Sequence, residues 1–191
     1  MGCIDRLPTT LYSGTRPLAT PSVRRRTRTV QWNLTTASLR RARESRRYPR
    51  RPVLGVGALV FRRGRVLLVE RARAPLKGYW SLPGGVLEPG ETLADGIRRE
   101  VLEETGLCVQ PLQIAGVFER IIRDGAGRLE YHYVLVDFLC RFESGTLCAA
   151  DDARRAEWVR MQDLERLLLT EGSLDLIRES YAKLKRRTAR V

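Results

Sequence analysis

From residue 53 onward, apolar residues recur in short blocks that match strands and helices; before it they show no sustained period. Residues 53–61 form an apolar run of strand length, far shorter than the ~20 residues that a membrane-spanning helix needs. Arg62-Arg63-Gly64-Arg65 reads as a hairpin turn and 66–70 as the returning strand. Residues 74–78 read as a loop, 80–82 as a short extended piece, and Pro83-Gly84-Gly85 as a turn. The clearest helix follows. Thr92 is its expected N-cap with Asp95 as capping partner, Leu93, Ile97, Val101 and Leu102 its apolar stripe, and Gly106 its C-terminal stop. Gly96 inside that helix costs up to ~1 kcal/mol relative to Ala, which a close packing contact would explain. A strand region over 108–118 is interrupted at Pro111. Ile121 and Ile122 lead into an Asp124-Gly125-Ala126-Gly127 hairpin loop, and 129–142 and 155–160 alternate as strands. Residues 161–169 and 174–187 read as helices. Strands on both sides of a central helix, with helices at the end, predict an α/β fold with a mixed sheet between helical layers.

Charge divides the chain. Residues 1–52 hold 13 arginines and two acids, Asp5 and Glu44, for +11, whereas residues 53–191 hold 22 bases and 20 acids, for +2. The net +13 is therefore no sign that the later region binds nucleic acid. Residues 1–47, rich in Arg, Ser and Thr and poor in acids, read as a disordered extension, with 48–187 as the folded domain. Three origins are open for the extension: an organellar targeting segment, a basic arm for RNA or anionic lipid, or upstream sequence from a start placed too early. The preponderance of Arg over Lys favours the last. Cys3, Cys108, Cys140 and Cys148 show neither CxxC pairing nor a His at metal-ligand spacing. Cys108 and Cys140 lie in apolar stretches and read as buried reduced thiols, consistent with a cytoplasmic protein.

The chemistry concentrates in the central helix. Glu100, Glu103 and Glu104 stand at i, i+3 and i+4, so three carboxylates share one face. Each like-charged pair costs a few tenths of a kcal/mol, which a solvated helix has no reason to accept. A divalent cation removes the repulsion, and oxygen-only ligands suit Mg²⁺ or Mn²⁺. Pro83-Gly84-Gly85 lets backbone approach a phosphate, and the nearby helix N-terminus favours anions. Together these features point to phosphoryl or pyrophosphoryl chemistry.

The stretch 85–107 resembles the Nudix box at every defined position: Gly85, Glu91, Arg99-Glu100, Val101, Glu103-Glu104, Gly106 and Leu107. A chance match at one start is on the order of one in a billion at average residue usage. Gly78-Tyr79-Trp80-Ser81-Leu82-Pro83, Tyr131-His132-Tyr133 and Ala156-Glu157-Trp158 also look like this family. The resemblance implies an α/β/α sandwich and Mg²⁺- or Mn²⁺-dependent hydrolysis of a phosphoanhydride in a nucleoside diphosphate derivative, of the ADP-ribose kind. Glu100, Glu103 and Glu104 would bind the catalytic metals, joined by the Gly84 carbonyl. Glu91 and Arg99 would brace the loop, with Gly85 and Gly106 as the structural glycines of the box. Nudix enzymes place a further acid before a late Trp-bearing strand, as base or extra ligand. Asp152 is the candidate here, with Asp151 second. One ADP-ribose pyrophosphatase group carries a proline where this chain has Arg123. Nucleoside triphosphate clean-up, a non-catalytic nucleotide sensor and an RNA-binding module acting through the arm stay as alternatives. The resemblance also allows a homodimer.

Residues outside the box carry weaker signals. Arg71 and Arg73 precede the pocket loop, where a guanidinium would match a substrate phosphate or simply be solvated. Tyr131 shares a strand face with Tyr133 and would stack on a base or pack in the core. His132 and the Asp95 cap read as structural, and Trp80 and Trp158 as core.

Overall fold

The protein is described by a computed structural model over residues 46–188, without the side chains of the last two. Expectations for residues 1–45 lie outside the described residues. Strand β1 (Val53–Arg62) turns into β2 (Arg65–Arg71) through Arg63 (φ 48°) and Gly64 (φ 75°). Left-handed backbone at both central residues is the geometry that matches the twist of paired strands. β3 (Trp80–Ser81) and β4 (Gly84–Val86) follow, then helix α1 (Leu93–Thr105). β5 (Leu107–Arg123) and β6 (Leu129–Gly145) make a long hairpin. β7 (Ala153–Arg160), a short 3-10 helix (Met161–Arg166) and helix α2 (Ser173–Thr188) complete the chain.

The sheet has seven strands in the order β3-β2-β1-β6-β5, with β4 on β1 and β7 on β2. It is mixed, because β1 runs parallel to β6 and antiparallel to β2 and β4. The two-residue period of β1 divides the core. Val56, Ala58 and Val60 pack with Ile97 and Val101 of α1, whereas Leu59 packs with Val66, Leu164, Leu176 and Ile177 on the side of α2. Helices therefore cover both faces, as the element pattern predicts. None of the helices among the described residues is long and apolar enough to cross a membrane.

Several expectations are corrected. Gly84 and Gly85, read as part of a turn, belong to a strand: Gly57 pairs with Gly84 and Val56 with Gly85. These glycines serve close approach rather than chain reversal. At Gly84 (φ 152°) a Cβ would stand 2.1 Å from the Val56 carbonyl oxygen. Gly84→Ala is expected to lower unfolding free energy by roughly 2–3 kcal/mol, read as a lower urea midpoint; an unchanged midpoint would refute the tight β1–β4 packing. The predicted helix 161–169 stops at Arg166 because the following residues run beside β3. Trp80 donates its N–H to Leu168 and accepts from Thr170. Pro111 does not end β5; the strand absorbs it in a register shift between Pro111 and Gln113. Leu102 is half exposed, outside the buried stripe, and Cys108 is exposed. Cys140 is buried as expected, and burial pushes its thiol up to about 12.

Helix α1 starts and stops where its caps predict. The Thr92 hydroxyl accepts the Asp95 N–H, and Gly106 adopts the left-handed conformation at φ 68°. A Cβ on Gly96 would stand 2.8 Å from the Leu87 side chain, so the close contact that would explain this glycine is present. The carbonyls that end the helix are satisfied by a later segment: Cys148 donates to Thr105 and Ala150 to Glu104. At the other end of the described chain, Arg47 pairs with Glu130, and Tyr48 donates through its hydroxyl to Asp124.

Candidate active site

The loop from β4 into α1 is closed by one carboxylate. Glu91 accepts Arg99 Nε at 2.6 Å, Arg99 Nη2 at 2.9 Å and the Glu88 N–H at 3.0 Å. Arg99 also donates to the Val86 carbonyl at 3.2 Å, which fixes helix to strand. The Arg99 hydrogen bond holds Glu91 below the usual carboxylate range, and Glu91 in turn raises Arg99. Gly106 ends the helix as expected.

The three expected ligands lie on one side of α1 in three environments. Glu104 is buried and accepts the Gly84 N–H at 2.8 Å. Burial pushes its carboxyl up to about 8; the Gly84 hydrogen bond and Arg71 pull the other way, and Glu100 and Asp152 add to the rise. Glu100 is raised too, by burial first, against the pull of Arg99. It lies against Gly85 so closely that a Cβ there would stand 2.4 Å from its carboxylate atoms. The Glu103 side chain is 48% exposed and touched by Arg99 Nη1 at 3.3 Å.

Among the described residues no three His, Cys, Asp or Glu side chains converge closely enough to hold an ion as they stand. Arg99 engages Glu100 and Glu103, and Gly84 engages Glu104. The donor set nevertheless fits a hard cation. It offers oxygen alone, and its two more buried carboxyls are raised by desolvation, so a bound cation would favour their ionised forms.

The segment bearing Asp152 is brought to this cluster from far along the chain. Ala150 is tied to the α1 terminus, and Ala72, just after β2, donates to the Asp152 carbonyl at 2.9 Å. The charge of Asp152 reaches Glu104. Arg73, expected near a phosphate, pairs with Asp152 at 3.0 Å. Arg71 donates its Nε–H to the Pro75 carbonyl, and its charge acts on Glu104, Arg120 and Tyr133. Tyr131 stacks on Tyr133, with ring centroids 6.1 Å apart. His132 meets Glu119 at 2.8 Å, a structural pairing.

Four groups escaped sequence reasoning. Glu70 is buried and paired with Arg154 and Arg155. Arg46 acts on Glu100 and Tyr133. Asp137 and Arg120 sit together on β6 and β5. Asp137 did leave a signal: one acid inside the apolar run 134–140.

The NUDIX domain model matches residues 51–180. An ADP-ribose pyrophosphatase of Methanocaldococcus jannaschii is 34% identical over 116 residues, 61% of this chain and 66% of that protein, slightly under two thirds of its length. A MutT Nudix hydrolase of Burkholderia pseudomallei superposes with TM-score 0.59 at 29% identity, covering 67% of this chain and 97% of that one. A bifunctional NMN adenylyltransferase/ADP ribose pyrophosphatase of Francisella tularensis, solved with AMP and a Mn ion, gives TM-score 0.52 at 26% identity over 70% of this chain and 42% of its own.

Proposed function

Since the chain belongs to the Nudix family, we propose that it is a divalent-cation-dependent hydrolase that cleaves the phosphoanhydride bond of a nucleoside diphosphate derivative, of the ADP-ribose kind. The observation that carries this reading is buried Glu104 and partly buried Glu100, set against glycine backbone at Gly84 and Gly85. Such a site offers an oxygen donor set for a cation beside glycine backbone. Glu100, Glu103 and Glu104, with the Gly84 carbonyl, would hold Mg²⁺ or Mn²⁺. The ion would neutralise phosphate oxygens and lower the pKa of the attacking water.

The chain's own groups supply the rest. Arg99 and Glu91 keep the box loop on the helix, and Arg71 offers positive charge beside Glu104 for the phosphates. Asp152, whose charge reaches Glu104 and whose carboxylate pairs with Arg73, would accept the proton of the incoming water. Water oxygen bonds to phosphorus as the bridging oxygen leaves. The products are a nucleoside monophosphate and a second phosphorylated group. The substrate class rests on the likeness to the ADP-ribose pyrophosphatase. The full set of three box carboxylates, Glu100, Glu103 and Glu104, favours catalysis over nucleotide sensing, which needs no water activation.

The test is a panel of ADP-ribose, other nucleoside diphosphate derivatives and nucleoside triphosphates, with Mg²⁺ and with Mn²⁺, followed by product identification. Cleavage to a nucleoside monophosphate that stops on addition of EDTA is the expected result. No turnover of any member with either metal would reject the reading. Release of pyrophosphate from triphosphates alone would move the enzyme to nucleotide clean-up.

A further inference from the structure

Asp137 belongs to none of the machinery described so far. It lies in the sheet interior, 9% exposed, flanked by glycine on both neighbouring strands: Gly57 of β1 and Gly116 of β5. The two glycines are not equivalent. A Cβ on Gly116 would meet the Phe118 ring at 2.7 Å and Leu176 at 3.3 Å, so that side is filled. A Cβ on Gly57 would stand 2.1 Å from Asp137 Oδ1 itself. The carboxylate therefore leans across β1, toward the strand that carries Gly84, which pairs with Gly57 on its other side. Two strand spacings, about 10 Å, separate the Asp137 and Gly84 backbones.

The carboxylate makes no hydrogen bond among the described residues, although burial holds it up to about 6. Its charged neighbour is Arg120, whose Nη2 donates to the Glu171 carbonyl at 2.7 Å rather than to Asp137. Glu104 instead feels Glu100, Arg71 and Asp152. Arg71 spans the gap, because its charge acts on Glu104 and on Arg120. Arg120 in turn is the charged group that acts on Asp137.

Building on the hydrolase reading, we propose that Asp137 is a specificity-determining residue whose carboxylate, leaning over Gly57, accepts a pair of hydrogen-bond donors from the substrate's nucleoside. Two parts of a nucleoside offer such a pair: the N1–H and 2-amino group of a guanine-type base, and the cis-diol of ribose. A buried carboxylate with free acceptors rewards the ligand that supplies both donors and penalises one that lacks them.

Equilibrium binding of GMP, 2′-deoxy-GMP, IMP and AMP by calorimetry needs no turnover, so it separates this proposal from the hydrolase reading. Recognition of the base predicts that GMP and 2′-deoxy-GMP bind roughly 10- to 100-fold more tightly than IMP and AMP. Recognition of the diol predicts that 2′-deoxy-GMP alone is weakened by a similar factor. In either case Asp137→Asn should erase the preference while its melting temperature shows that the domain is folded. Gly57→Ala provides a second variant, because it displaces the carboxylate without removing it, and should erase the preference too. Equal affinity for all four nucleotides in the unaltered protein would overturn the proposal whatever the variants do. So would a preference that persists in folded Asp137→Asn.

Discussion

Glu103→Gln is expected to lower kcat by two to four orders of magnitude, about 3–5 kcal/mol of lost transition-state stabilisation. Its unfolding midpoint should stay where it was. Glu103 is the informative ligand to change because it is the least entangled of the three. Its side chain is 48% exposed and touched by Arg99 at 3.3 Å, whereas Glu104 is buried on the Gly84 N–H and Glu100 is pressed against Gly85. Gln keeps the shape and one oxygen and removes the charge a hard cation prefers. Steady-state kinetics at saturating Mg²⁺, beside a urea titration of the same preparation, give both numbers. A kcat within a few-fold of the unaltered protein would remove Glu103 from the proposed cation site.

Arg99→Ala should act on stability. The change leaves Glu91 with a single donor, the Glu88 N–H, in a setting where its side chain is 19% exposed and the Arg99 side chain 24%. Removing one partner of a largely buried, two-point ion pair strands the other charge, at a cost of about 2–4 kcal/mol. For a domain of this size that corresponds to a fall in melting temperature of roughly 5–15 °C. Arg99→Lys should recover less than half of it, because an ammonium cannot make the parallel pair of hydrogen bonds to Glu91 and also reach Val86. A melting temperature for Arg99→Ala within about 1 °C of the original would show that the brace is ornamental.

The shared face of the box acids was legible because it follows from local spacing. Residues three and four apart meet on one helix face whatever the rest of the chain does, so Glu100, Glu103 and Glu104 come out together. The Thr92 cap, the Gly106 stop and the Arg63-Gly64 turn are local in the same sense. What failed was non-local. Gly84 and Gly85 carry the composition of a turn, and only the arrival of β1 alongside makes them a strand. Cys108 sits among apolar neighbours but points outward from a strand at the sheet edge. Residues 167–169 have helical character that pairing with Trp80 overrides. The pairing of Arg73 with Asp152 spans the whole β5–β6 hairpin, beyond the reach of local spacing. Asp137 shows the same limit: an acid in an apolar run was visible, but the register that sets it between two glycines was not.

The amides of Cys148 and Ala150, spent on the last carbonyls of α1, have a mechanical meaning. They fasten the stretch before β7 to the box helix. That stretch cannot swing out as a lid without unzipping the helix terminus. Any movement of position 152 is thereby coupled to the end of the box helix.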